Sequence, residues 1–273
     1  MNELDDILAS LDLEATGEGR YRAGNVPVAH GVVFGGQLMG QAIVAAVGSQ
    51  PGKLVKTLNI VFARSGSTAE PVDIEVDTIA TGRSVGSCTV SFSQGGRLFT
   101  RATVLLSADE ADFLTYREPS PSALTPPSGR RPPGWQIEIT GGVDINDPDD
   151  VGPAELDVWT RFDGAPDDPV ISQALLSYAT DGFLIATAMR PHKGVGQAQS
   201  HQTVSTAVLG HTITFHEPFS AAEWMFLAHR SPYAGRGRSY GRADVYRPDG
   251  ALIASFTQDN LIRARPGDAR GVL

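Results

Sequence analysis

Gly82-Arg83-Ser84-Val85-Gly86 is answered 155 residues later by Gly237-Arg238-Ser239-Tyr240-Gly241. Val90, Gly95 and Leu98 have counterparts at the same shift in Val245, Gly250 and Ile253. Upstream, Ile60-Val61-Phe62 and Glu70 match Ile213-Thr214-Phe215 and Glu223 at a shift of 153. Two copies imply a fused pair of similar units, because a solenoid needs at least about three repeats to bury a continuous core. Chemistry is then sought where the second copy departs from the first.

Each copy runs in the same order. A short strand (residues 19–25 and 156–162) precedes a long apolar segment with helical spacing (34–47 and 171–189), and alternating strands follow. Leu58, Ile60 and Phe62 share one strand face, as do Val72, Ile74 and Val76. Gln94-Gly95-Gly96 and Pro248-Asp249-Gly250 read as tight turns between paired strands. From Val32 to Gly52 no residue is charged, and from Val170 to Met189 only Asp181 is. A helix that is apolar all round must be enclosed by protein. The expected class is α+β: two antiparallel sheets, each curled around a long central helix, free to join edge to edge and so cover edges prone to aggregation. Between the copies, Pro119, Pro121, Pro126, Pro127, Pro132 and Pro133 and then Asp147, Asp149 and Asp150 mark a surface linker. Residues 135–140 can add a short strand within it. The expected division is residues 1–108, a linker over 109–150, and 151–273.

Composition narrows the function. The chain has 273 residues, is 41% hydrophobic and carries a net charge of −9. That balance argues against a general nucleic-acid binder, and the lack of about 18 consecutive apolar residues argues against a membrane span. The acidic start, Met1-Asn2-Glu3-Leu4-Asp5-Asp6, is unlike a secretory signal. A lone cysteine, Cys88, fits a reducing cytoplasm, and its alternating strand context reads as a buried thiol. Arg236, Arg238 and Arg242 offer a small anion cluster or simply a solvated turn. His211 and His216, five apart on a strand, face opposite ways, and no metal-ligand spacing is present. Gly-x-Ser-x-Gly, the P-loop and the dinucleotide fingerprint are also missing. No metal or cofactor is expected.

Three features remain. Asp181 sits among Leu175, Leu176, Tyr178, Phe183 and Leu184. It either caps a helix broken at Gly182, or it is a carboxylate in a pocket, able to orient or deprotonate a water. The first copy has no acid in its helix. Gln258 shares an apolar strand face with Leu252, Ala254, Phe256 and Ile262, where the first copy has Thr103; it is a satisfied core amide or a site residue. Gly35-Gly36 is a plain turn or a helix start offering free N–H groups to an anion.

Val33-Phe34-Gly35-Gly36-Gln37-Leu38-Met39-Gly40-Gln41-Ala42 resembles the first-helix signature of the acyl-CoA thioesterase II family. Val158-Trp159-Thr160-Arg161, Tyr178-Ala179-Thr180-Asp181 with Pro191-His192, the stretch from His211 through Phe215-His216-Glu217-Pro218-Phe219 to Glu223-Trp224, and Ala254-Ser255-Phe256-Thr257-Gln258 resemble it too, in family order. The resemblance implies a double-hotdog fold and hydrolysis of acyl-CoA to a free acid and coenzyme A. It also implies association into homodimers or homotetramers. It makes Asp181 and Gln258 catalytic and gives Gly35, Gly36 and Gln37 to substrate binding. The family's third group, a Ser or Thr hydroxyl, falls on Val208 of Val208-Leu209-Gly210-His211. Thr206, two residues earlier, is the expected substitute; Ser205 would need a bulge. If no hydroxyl is supplied, the competing reading is a non-catalytic acyl-thioester binder. An enoyl-CoA hydratase fits less well, because it pairs an Asp with a His five residues on, and that position is Ala186.

Overall fold

A computed structural model describes residues 3–28, 31–117 and 124–265. Pro119 and Pro121 of the expected linker lie outside these. In chain order the elements are α1 (Glu3–Leu11), β1 (Glu14–Gly17), β2 (Arg20–Ala23), α2 (Gly35–Ser49), β3 (Leu54–Phe62), β4 (Val72–Thr81), β5 (Val85–Gln94) and β6 (Arg97–Ser107). There follow β7 (Gly134–Ile139), β8 (Glu155–Asp163), α3 (Pro169–Thr180), α4 (Leu184–Met189), β9 (Val204–Phe215), β10 (Met225–Gly235), β11 (Arg238–Tyr246) and β12 (Leu252–Ala264).

The sheets are not two but one. Twelve antiparallel strands lie in the order β1-β2-β4-β5-β6-β3-β9-β12-β11-β10-β8-β7. The halves meet where β3 pairs with β9, from Thr57 opposite Thr214 to Val61 opposite Gly210. Each copy thereby removes the other's open edge. β9 continues past the end of β3, so Val208 has no strand partner on that side among the described residues, and only Val204 is bridged there, to Ser200.

Alternation does what the sequence predicts. Leu58 and Ile60 are buried while Asn59 and Val61 are exposed; Val72 and Ile74 are buried. Gly95 and Gly96 both have positive φ in the β5–β6 turn, and Gly250 does in the β11–β12 turn, conformations that glycine adopts without a Cβ clash. β7 lies inside the expected linker yet pairs with β8 from Gly134 opposite Asp163 to Ile139 opposite Val158. Trp135 stacks on Phe162 at 5.5 Å. Residues 134–139 therefore belong with the second half of the sheet. The short strand expected over 135–140 is thus present, at the edge of the sheet, a position where flanking prolines are tolerated.

α2 is buried almost throughout and packs on α3 and on the inner faces of β3, β4, β5 and β6. A Cβ on Gly36 would lie 2.5 Å from the Tyr178 carbonyl oxygen, and one on Gly40 would lie 3.3 Å from that of Ala174. Two glycines one helical turn apart thus let the helix backbones touch. The expected single helix over 171–189 is broken. α3 ends at Thr180, Asp181 and Gly182 form a tight turn, and α4 restarts at Leu184 and packs on β10 and β11. α1, whose Leu4, Ile7, Leu8 and Leu11 keep helical spacing, covers α2 and reaches β7. Among the described residues no helix is long and apolar enough to cross a membrane.

Candidate active site

The break after α3 delivers the one acid of the two long helices to the start of α2. Asp181 Oδ2 accepts from the Gly36 N–H at 3.0 Å, and Oδ1 accepts from Gln258 Nε2 at 3.1 Å. The helix does break there, and the carboxylate turns away from it to bridge α2 and β12. The position is nearly sealed, with Asp181 7% and Gln258 1% exposed. Burial pushes the Asp181 carboxyl up to about 7; the Gly36 N–H and then the Gln258 amide pull it the other way.

His211 fixes which way the Gln258 amide points. Its Nε2 lies 3.3 Å from Thr180 Oγ1, and that hydroxyl gives its own hydrogen to the Ser177 carbonyl at 2.9 Å. Nε2 must then carry the ring hydrogen. Burial holds the imidazole neutral by pushing it down to about 3, so Nδ1 is an acceptor. It faces Gln258 Nε2 at 3.3 Å. Both amide hydrogens are thus committed, one to Asp181 and one to His211. Gln258 Oε1 is buried and has no partner among the described residues. An acceptor in that state costs about 1–3 kcal/mol unless something donates to it.

The remaining sequence candidates divide. Gly35 and Gly36 are at the site: a Cβ on Gly35 would be 2.7 Å from Asp181 Oδ2 and 3.0 Å from the Phe62 ring. The Gly36 N–H holds the carboxylate and is not free for substrate. That of half-buried Gly35 has no acceptor among the described residues. Gln37 is committed within the protein. It is fully buried, accepts from the Val26 N–H at 2.9 Å and donates to Asn25 Oδ1 at 2.9 Å. Its amide ties the incoming segment, residues 24–26, to α2.

Thr206 is not brought to Asp181 and Gln258. It lies across from Ile262, whereas Gln258 faces His211. Four residues of strand separate Ile262 from Gln258, about 13 Å. A bulge at Leu209 keeps Val208, not Thr206, next along the inner face from His211. Arg238 and Arg242 are likewise about 13 Å apart along β11, exposed with Arg236, and so form no single anion site. Cys88 is buried, with its thiol pushed up to about 11 by burial. His216 faces away from His211, toward Ser255 Oγ at 3.1 Å. Among the described residues no group of three or more His, Cys, Asp or Glu could hold a metal ion.

Two family patterns match this chain, the acyl-CoA thioesterase N-terminal domain over residues 24–107 and the acyl-CoA thioesterase C-terminal domain over residues 116–262. The chain belongs to the acyl-CoA thioesterase family. Human acyl-coenzyme A thioesterase 8 is 29% identical, over 95% of this chain and 89% of its own. Acyl-CoA thioesterase 2 of Haemophilus influenzae is 27% identical, over 95% and 98%. Among solved structures, the acyl-CoA thioesterase II TesB2 of Mycobacterium marinum superposes with a TM-score of 0.79 at 27% identity, covering 96% of this chain and 98% of that one. The tesB protein of Mycobacterium avium subspecies paratuberculosis gives 0.81 at 25%, over 95% and 99%. Residues that sequence reasoning passed over as site members are His211 and Thr180. Both lay within the quoted family stretches, and a histidine on an inward strand face next to Gln258 was the available signal.

Proposed function

We propose that this acyl-CoA thioesterase hydrolyses acyl-CoA with a water gripped by Asp181 and Gln258. The observation that carries the reading is a buried carboxylate bonded to a glutamine amide whose oxygen is left without a partner. That pair of acceptors suits a water, which offers two hydrogens. Asp181 takes one proton as the water oxygen bonds to the thioester carbonyl carbon. The negative charge moves to the carbonyl oxygen, where the Gly35 N–H at the start of α2 can meet it. The carbon–sulfur bond then breaks, the thiolate of coenzyme A takes the proton back from Asp181, and a carboxylic acid is released. Each half of the chain is, on this reading, a hotdog unit with its helix at the centre, and only the second carries the acid and the amide.

The test is direct. Mixed with acyl-CoA of several chain lengths and a thiol reagent, the protein is expected to release coenzyme A and fatty acid in equal amounts. Binding without release would favour the non-catalytic reading instead. A pH profile follows from the same site. Because Asp181 must be ionised to act as base and its carboxyl is raised to about 7, kcat is expected to climb about tenfold per pH unit below 7 and level off above it. A rate that stays flat from pH 5 to pH 8 would remove Asp181 as the base.

A further inference from the structure

Two acceptors hold the hydrogens of the water and leave its oxygen free to swing; a third group, a donor, is needed to aim it. The inner face of β12 supplies one. Asn260 is two residues beyond Gln258 on the same face and is fully buried. Its Nδ2 donates to Ser239 Oγ at 3.2 Å, and its Oδ1 has no partner among the described residues. Ser239 has a hydroxyl that can give or accept, so either end of the amide can be the one it holds. Turned over by half a rotation, so that Ser239 donates to the oxygen, the amide instead leaves its nitrogen to donate into the interior.

Placement agrees. Side chains two apart on a strand start about 6.6 Å from each other, a gap one water spans with a hydrogen bond of about 2.9 Å to each. Asn260 and its cross-strand neighbour Val208 lie just past the end of β3. That is the end where Phe62 meets Gly35, whose N–H has no acceptor among the described residues. Val208 is the very position at which the resemblance expects a hydroxyl.

We propose that Asn260 is the third group on the attacking water, replacing from β12 the hydroxyl that β9 lacks. This inference rests on the Asp181–Gln258 reading of the site. Asn260 donates to the water oxygen, Asp181 and Gln258 Oε1 accept its hydrogens, and the second lone pair is left to attack the carbonyl.

The test exploits the register. Asn260→Ala is expected to lower kcat about 100-fold, the cost of a mispositioned reactant, with KM changed less than about twofold because substrate contacts remain. Adding Val208→Thr, which puts a hydroxyl directly across the ladder, is expected to recover at least about tenfold of that loss. A purely structural asparagine would not be rescued from the neighbouring strand. The proposal is overturned if Asn260→Ala keeps kcat within about twofold of the parent, or if Val208→Thr recovers none of the loss. Should Asn260→Ala not fold, Asn260→Ser, which keeps a partner for Ser239, is read the same way. Asp181→Asn is measured alongside. An inactive Asp181→Asn with a fully active Asn260→Ala removes Asn260 alone, whereas a fully active Asp181→Asn removes the whole site.

Discussion

Asp181→Asn is expected to lower kcat by about two to four powers of ten, the usual worth of a general base, while leaving substrate binding and the fold in place. At about 1.4 kcal/mol per power of ten this is about 3–5 kcal/mol of transition-state stabilisation. The asparagine keeps one oxygen to accept from Gly36 or Gln258 but has no lone pair basic enough to take a proton from water. Stability should move in the opposite sense. The folded carboxyl is raised to about 7 from 3.8. Between those pH values the folded state holds a proton that the unfolded chain has lost. The Asp181 contribution to stability is therefore fully present below about pH 4 and is lost as pH rises through 7, by about 4 kcal/mol in all. Denaturant midpoints measured from pH 4 to pH 8 should show that decline in the parent and a much shallower one in Asp181→Asn. A site acid kept at such a cost is an instance of activity held against stability.

Gly36→Ala should damage both fold and function. A Cβ there would stand 2.5 Å from the Tyr178 oxygen and 2.9 Å from its Cα. These are backbone atoms of α3 that cannot rotate away, so α2 must shift. Overpacking of this kind costs about 1–3 kcal/mol. The shift also withdraws the Gly36 N–H from Asp181, and a displacement of about 1 Å at a catalytic group can cost about 100-fold in rate. Gly48→Ala is the control within the same helix. Its Cβ would meet only the Tyr21 hydroxyl, at 3.5 Å, and replacing an exposed helical glycine should stabilise by about 0.5–1 kcal/mol. Thermal unfolding and kcat for the pair separate close approach at the site from general helix propensity. Equal behaviour of the two variants would contradict the packing argument.

Much of this was legible because it is written in local pattern. The repeat named the two halves, the charge-free stretches named the buried helices, and Asp181 and Gln258 stood out as polar groups on apolar faces. What escaped depends on partners far apart in the chain. A one-residue bulge at Leu209 leaves periodicity almost intact yet decides that Val208 faces Asn260 while Thr206 faces Ile262. Gln37 and Gln258 are both buried glutamines, and only their neighbours tell them apart. The first has every polar end tied to residues 24–26, the second has a free oxygen. His211 looked like one of several scattered histidines until Gln258 was found across the ladder from it. α1 is the exception, since Leu4, Ile7, Leu8 and Leu11 keep helical spacing and made it legible locally. The joining of the sheets through β3 and β9 was open in the sequence because either unit's edge could have been left free or covered by another copy.

A single turnover in water enriched in ¹⁸O, with protein in excess over acyl-CoA, tests the water-activating role of Asp181 most directly. The released fatty acid is expected to carry one heavy oxygen, and the peptide containing Asp181 to keep its ordinary mass. A heavy Asp181 with an unlabelled acid would mean that the carboxylate itself attacked the thioester, and the mechanism given for this site would be wrong.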